Sequence, residues 1–352
     1  MNCNIIIPTH NRPRYLQRIL DYYSKYGNDF EIIVADSSSD ENKKLNKKII
    51  LSFPNLKIQY LDKYSTVINP NYKFADVVNY ADEEYCVFCA DDDFITPNGI
   101  KRSIDFLERN PDFTVVRGNQ ISFIIKGKIF KWEPIRSCES IIFPDPKQRL
   151  IKHLSNYSTP TFHGVHRTNF LKMVREETIK FIDYDRFSEL LPSMISLIYG
   201  KMKCLDVLYG VREEIFNSGG RTVKTFNDLI REGSYDEKYN NFRNYLAIHL
   251  SKEAKLSVGE SEKIIDEAMA SYLKKYCSNN NFRDFLIKKI KRILVFLNLP
   301  NSLYEKIRLI YLIIENSKPK DYYFLKHLED PSSKYYNDFI KIRDCVISHV
   351  KN

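Results

Sequence analysis

Short apolar runs at residues 4–8, 31–35, 56–61 and 85–90 alternate with stretches whose apolar residues recur at helical spacing, and this alternation limits the fold more than any other feature. Strands spaced by helices build β-α-β units, whose crossovers close a parallel sheet covered by helices on both faces. Between the first two runs, Pro13 opens a helix, Leu16, Ile19, Leu20 and Tyr23 mark its buried stripe, and Gly27 ends it. Further helices are expected over 37–52 and 71–81 and from Pro97 to about Asn110, followed by a strand at 114–118 and a hairpin turning at 126–128. A doubly wound α/β domain results.

A second set of elements follows, with strands near 162–167 and 204–211 and helices from Asn169 and over 186–199. Beyond Thr222 the periodicity is helical throughout, at 227–250, 261–276, 282–297, 303–314 and 335–347. A chain of 352 residues is about twice the size at which one core suffices, and the paired glycines Gly219 and Gly220 mark a junction. The expected division is an α/β domain at 1–220 and a helical lobe at 221–352.

Net charge separates the same two parts. The chain carries +9, and residues 221–352 hold 24 Lys and Arg against 17 Asp and Glu, so +7 of the excess lies in the C-terminal third. That part is suited to an anionic contact, a membrane surface or a polyanion. Within it, residues 282–297 place Phe282, Phe285, Leu286, Ile290, Ile293, Leu294 and Leu297 on one helical face and Lys288, Lys289, Lys291 and Arg292 mostly off it. The pattern fits peripheral attachment to an anionic membrane, and equally an ordinary helix with its apolar face in a core. With 43% hydrophobic residues, a mean hydropathy of −0.40 and no apolar run of about 18 residues, an integral membrane protein is excluded. The N-terminus lacks the basic region of a secretory signal.

Seven scattered cysteines speak against a disulfide framework and for a reducing compartment, the cytoplasm. Cys86 and Cys89 have redox or zinc spacing, yet residues three apart on a strand face opposite sides, so buried thiols are expected. No second CxxC and no HxxxH pair occurs, and no zinc site is expected.

The chemistry-bearing signal is Asp91-Asp92-Asp93, three carboxylates directly after an apolar strand. Ligands of open α/β sheets bind beyond the carboxyl ends of the strands. In extended chain Asp91 and Asp93 would project the same way about 6.5 Å apart, and hard oxygen donors so placed favour Mg2+ or Mn2+. The first strand leads into Pro8-Thr9-His10-Asn11-Arg12, a helix N-terminus with a hydroxyl and a guanidinium, and the second into Asp36-Ser37-Ser38-Ser39. Three polar clusters on one rim point to a shared ligand.

These segments resemble the family 2-like glycosyltransferases of GT-A fold. The likeness rests on Ile5 to Arg12, Ile33 to Ser37 and the D-x-D pattern of Asp91 to Asp93, and covers about residues 3–215. Asn71-Tyr72-Lys73, Cys89 to Gly99 and Phe106 to Phe113 resemble a bacterial subgroup of surface-polysaccharide loci. The resemblance implies a GT-A-type nucleotide-sugar-binding sheet. In it Pro8, Thr9, Asn11 and Arg12 would border base and ribose, Asp36 would hold the base edge and Lys73 would approach base or phosphate. Asp91, with Asp92 beside it, would face ribose and metal, and Asp93 would be the principal ligand of Mn2+ or Mg2+. It implies a nucleoside-diphosphate sugar as donor, uridine first with guanosine and cytidine open, and inversion at the sugar carbon.

Inversion needs a base for the acceptor hydroxyl proton, and a carboxylate suits that task. Glu189 matches the acidic position at the start of a family helix, with Asp185 the second candidate. Arg212 or Arg221 would stabilise the leaving phosphate, and His163, His166 and Arg167 fall near the expected acceptor side. The acceptor would be a glycan or lipid-linked glycan, and the setting the cytoplasm or the inner face of its membrane. A nucleotidyltransferase would want a Gly-rich phosphate loop, and none is present. The other reading is a non-catalytic basic protein binding membrane or nucleic acid through its last third. The transferase reading expects no nucleic acid.

Overall fold

The computed structural model describes residues 2–126, 129–134, 138–155, 157, 161–180, 185–213, 224–278 and 328–351. The first half runs β1 (Cys3–Thr9), α1 (Pro13–Tyr26), β2 (Glu31–Asp36), α2 (Asp40–Leu51), β3 (Lys57–Leu61), α3 (Pro70–Val78) and β4 (Tyr85–Phe88). It continues with β5 (Asp93–Ile95), α4 (Pro97–Arg109), β6 (Phe113–Lys126) and β7 (Ile129–Pro134). Then come α5 (Pro146–Ser155), a short turn of 3-10 helix at Thr161–His163, β8 (Val165–Arg167), α6 (Thr168–Ile179), α7 (Arg186–Tyr199) and β9 (Lys201–Glu213). The remaining described helices are α8 (Phe226–Arg231), α9 (Tyr235–Ala254), α10 (Val258–Ser278) and α11 (Tyr336–Lys351).

The sheet has the order β3-β2-β1-β4-β8-β6-β9-β5, with β7 paired to β6. β1 is parallel to β2 and to β4, and β2 is parallel to β3, as strand-helix alternation requires. The interiors of β1, β2 and β4 are buried on both faces, which is why they read as unbroken apolar runs, while the edge strand β3 is partly exposed. On β1, Ile5 and Ile7 join one core cluster with α1, while Ile6 joins another with Val77 and Val78 of α3. Cys86 and Cys89 likewise divide between the two clusters, both fully buried.

The other half of the sheet departs from the all-parallel expectation. β8 is antiparallel to β4 and β6, and β5 is antiparallel to β9, while β6 and β9 are parallel. A parallel neighbour needs a crossover of a dozen residues or more. Only four residues separate β4 from β5, so β5 takes the far edge of a sheet that folds over to meet it. Register shifts between β6 and β9 at Gly118, Asn119 and Gln120 supply the bend. This bend sets Asp93 opposite Arg212.

The described helices of the C-terminal third pack on two surfaces. Phe226, Leu246, Ile265 and Met269 of α8–α10 share a core with Leu150 of α5 and Leu190 and Met194 of α7. Phe339, Ile342 and Val346 of α11 join Leu16, Ile19 and Leu20 of α1 in the sheet core. The helix expected over 227–250 is two helices, because Gly233 takes a left-handed φ of 70° and breaks it. The helices expected at 282–297 and 303–314 lie outside the described residues. Among the described residues no helix is long and apolar enough to cross a membrane.

Candidate active site

The parallel strands β1, β2 and β4 end on one rim, and the polar segments after them meet there. Thr9 Oγ1 donates to Asp91 Oδ2 at 2.7 Å. Arg12, the residue before α1, bridges Asp91 Oδ1 at 2.5 Å and Asp92 Oδ2 at 2.6 Å. Asp93 turns to the opposite side of the loop, where Arg212 Nε lies 3.3 Å and His163 Nε2 3.7 Å from its Oδ2. The extended geometry expected for Asp91 and Asp93 is corrected here. Asp93 N–H donates to Ala90 O at 3.0 Å, so a turn presents the two carboxylates to different cations.

Both carboxyls are buried, and burial pushes each up to about 7 against the pull of Arg12 on Asp91 and of Arg212 on Asp93. Burial, followed by Arg212, pushes His163 down to about 3, so its ring is neutral. His163 Nδ1 lies 3.2 Å from Phe88 O. A neutral ring donating there turns the lone pair of Nε2 toward Asp93.

A second layer holds the rim in place. Asp36 is fully buried and accepts from Ser38 N–H, Asn46 Nδ2 and Tyr60 Oη, each at 2.7 Å. Lys73, also buried, donates to Ser37 Oγ at 2.9 Å and Thr9 O at 3.3 Å. It ties the ends of β1 and β2 together. Asn11 adopts a left-handed φ of 55°, tolerable for Asn, and its Oδ1 accepts from Ser39 N–H at 2.8 Å. Pro8 is half-buried beside this loop. His10, to which the sequence assigns no role, lies with Nδ1 2.8 Å from Ser37 O.

Arg18 and Glu213 form a buried ion pair at 2.5 Å, and Arg18 Nη2 donates to Asp92 O at 3.0 Å. The rings of Tyr15, Phe94 and Phe123 surround the guanidinium. A cavity of about 610 Å³ opens beside this pair, lined by Arg14, Tyr15, Arg18, Glu213 and His349 among others. Sequence reading missed Arg18, Glu213, Asn46 and Tyr60. The available signal was Arg18 set between Leu16 and Ile19 on α1, whereas Asn46 is distinguished in α2 only by its burial in the fold.

The remaining candidates are scattered. Asp185 caps α7, accepting from Ser188 N–H at 3.0 Å, and pairs with Lys238 Nζ at 3.1 Å. Glu189 lies one turn on, paired with Arg186 of its own helix and about a third exposed at 32%. His166 is buried with Nε2 3.0 Å from Thr161 O. Arg167 is not brought to the rim. Antiparallel pairing sets it opposite Tyr85, at the beginning of β4, where it donates to Leu107 O at 2.7 Å. Arg221 lies outside the described residues.

A parallel sheet whose strand ends gather Asp36, Asp91 and Asp93, continued by a mixed half that returns Arg212 to the same rim, defines a GT-A-type transferase domain. Residues 4–177 match the family described as Glycosyl transferase family 2, and the match supports a transferase. The structure of S. aureus TarS 1-349 in complex with UDP-GlcNAc is similar at 16% identity and a TM-score of 0.53, covering 78% of this chain and 73% of that one. The same protein in complex with UDP gives a TM-score of 0.51 at 16% identity, covering 100% of this chain and 89% of that one. No curated protein sequence matches the chain.

Proposed function

We propose that the rim around Asp91 and Asp93 binds a nucleoside-diphosphate sugar with a divalent cation and transfers the sugar, with inversion, to a glycan or lipid-linked glycan. The observation that carries this reading is the pair of buried carboxylates gathered just beyond β4, Asp91 paired with Arg12 and Asp93 with Arg212. Uridine is the base proposed first, in keeping with the nucleotides named for the TarS complexes. The bacterial surface-polysaccharide setting, at the cytoplasmic face of the membrane, rests on the resemblance of residues 71–113.

The residues fit a cation. Asp93 would hold it through a hard carboxylate oxygen, with His163 Nε2 3.7 Å from its Oδ2, while Asp91 lies on the other side of the turn against Arg12. Mn2+ or Mg2+ held there supplies charge against the departing diphosphate. Thr9 and Arg12 fix the orientation of Asp91, and Arg212 adds a cation on the phosphate side of Asp93. Asn11, Pro8 and Asp36 shape the base and ribose edge, with Lys73 holding the two loops that form it.

Glu189 is the proposed base. Its carboxylate takes the proton of the acceptor hydroxyl as that oxygen bonds to the anomeric carbon and the bond to the diphosphate oxygen breaks. It is the more accessible of the two α7 acids, whereas Asp185 is 4% exposed and already engaged as a cap and by Lys238. The division into a donor domain at 1–220 and an acceptor or membrane-contact part at 221–352 belongs to the same proposal.

The test is a calorimetric titration of UDP, GDP and CDP, each with Mn2+, Mg2+ or chelator, into wild type and Asp93→Ala. One nucleotide binding in a metal-dependent way, and not to Asp93→Ala, is the expected result. Binding of no nucleotide, or equal binding by both proteins in chelator, overturns the metal-dependent donor site.

A further inference from the structure

Across the contact between the first and last described helices, three side chains of different ligand chemistry converge away from the proposed donor rim. Cys345 and His349 are four residues apart on α11, hence on one face of the helix. Opposite them on α1 stands Asp21, and the Cys Sγ, an imidazole nitrogen and a carboxylate oxygen all lie within 4.8 Å of one another. His349 Nε2 is 3.2 Å and Cys345 Sγ 4.0 Å from Asp21 Oδ2.

We propose that Asp21, Cys345 and His349 form a zinc site that clamps α11 to α1. Tetrahedral zinc with bonds of about 2.0 Å to nitrogen and oxygen and about 2.3 Å to sulfur sets its ligand atoms roughly 3.3–3.6 Å apart. The nitrogen-to-oxygen separation meets that value, and the sulfur-to-oxygen separation exceeds it by a few tenths of an ångström, within reach of a rotamer adjustment. Cys345 is 4% exposed, and its thiol is pushed up to about 12 by burial and by the charge of Asp21. On binding, that thiol proton passes to solvent and the thiolate bonds the ion. His349 also lines the 610 Å³ cavity, which gives the ion an entry path and a water the fourth position.

The present occupant of the acidic oxygen is Lys25, whose Nζ lies 2.8 Å from Asp21 Oδ2 with its side chain 52% exposed. Such i,i+4 surface pairs are weak, and the lysine can swing out to solvent. The sequence concealed the site. One cysteine and one histidine at helical spacing make no recognisable pair, and the third ligand is more than 300 positions away. The proposal is independent of the donor site and of the reaction assigned to it.

The full-length reduced protein, freed of metal by chelator, would be titrated with Co2+ and then with Zn2+. Wild type is expected to develop tetrahedral cobalt bands and a thiolate-to-cobalt charge-transfer band that zinc abolishes, and zinc is expected to raise its melting temperature. Cys345→Ser should lose the charge-transfer band, and His349→Gln should bind zinc more than about 100-fold less tightly, beyond the loss typical of removing an outer partner. Both variants should keep wild-type donor binding, which establishes that they fold. No charge-transfer band in wild type, the same band in Cys345→Ser, or unchanged zinc affinity in His349→Gln each overturns the proposal. Cys89, which lies close to Asp93, is the alternative thiolate source that the Cys345→Ser spectrum distinguishes.

Discussion

Asp91 and Asp93 lie buried at the ends of the parallel strands, each against an arginine, whereas Glu189 at the start of α7 leaves about a third of its side chain to solvent. Both regions present carboxylates beside guanidinium groups, yet their surroundings differ. At the rim, burial dominates and raises the cost of ionisation, which suits a group that in the proposed site would share its charge with a cation. On α7 the ion pair is local and partly wet, so Glu189 can exchange Arg186 for a substrate hydroxyl at little cost. On the proposed assignment, burial separates a binding acid from a reacting one.

The sharpest way to break this contrast is Glu189→Gln. Loss of a general base costs on the order of 10²- to 10⁴-fold in kcat, and the affinity for donor and metal should stay at the wild-type value. Single-turnover kinetics beside nucleotide calorimetry separates the two quantities. A parallel fall in donor affinity would place Glu189 with the rim acids and sink the division of labour.

Asp93→Asn should show the reverse pattern. Removing one hard ligand is expected to weaken metal-dependent nucleotide binding by on the order of 10²-fold, with a smaller loss in kcat at saturating donor and metal. If nucleotide affinity with Mn2+ is unchanged, the buried pair is structural.

A pH series without metal tests the rim from another side. The carboxyls of Asp91 and Asp93 lie near 7 in the folded chain and near 4 in the unfolded one, so between these values the native state binds more protons. Stability from this pair is therefore full below about pH 4 and declines as pH rises toward 7. In chelator the melting temperature should carry a falling contribution between about pH 4 and pH 7 that disappears in the Asp91→Asn, Asp93→Asn double variant. Mn2+ affinity should rise over the same interval, because the cation needs the ionised form. A wild-type slope identical to that of the double variant would contradict the raised values.

How much of this was legible beforehand follows from which residues leave a periodic trace. β1, β2 and α7 are readable because apolar period and capping residues act locally, and Pro13 and Gly27 bracket α1. β5 and β8, of three residues each, have no period to read, so their antiparallel pairing and the consequent placement of Arg167 at the wrong end escaped. Asp91 and Asp93 announce themselves as a run, but the turn at Ala90 that separates them depends on tertiary pairing with β9. Arg18 and Glu213 are 195 positions apart, and only the folded sheet makes them a pair. Gly233 was visible as a glycine, though whether it bends or ends a helix is decided by the packing of α8 and α9 on α7.

The smallest expected effect sharpens the comparison within α7 itself. Asp185 and Glu189 are one turn apart, yet Asp185 spends one oxygen on the Ser188 N–H and the other on Lys238. Asp185→Ala should destabilise the fold by about 1 kcal/mol through the lost cap, while Asp185→Asn, which can still cap, should cost less, read as melting temperature or denaturant midpoint. Neither should change kcat by more than the stability loss explains, since a carboxylate committed to holding a helix end is a poor acceptor for a substrate proton. A fall in kcat for Asp185→Asn that matches Glu189→Gln would reverse the assignment, because the amide preserves the cap and removes only the capacity to take the proton.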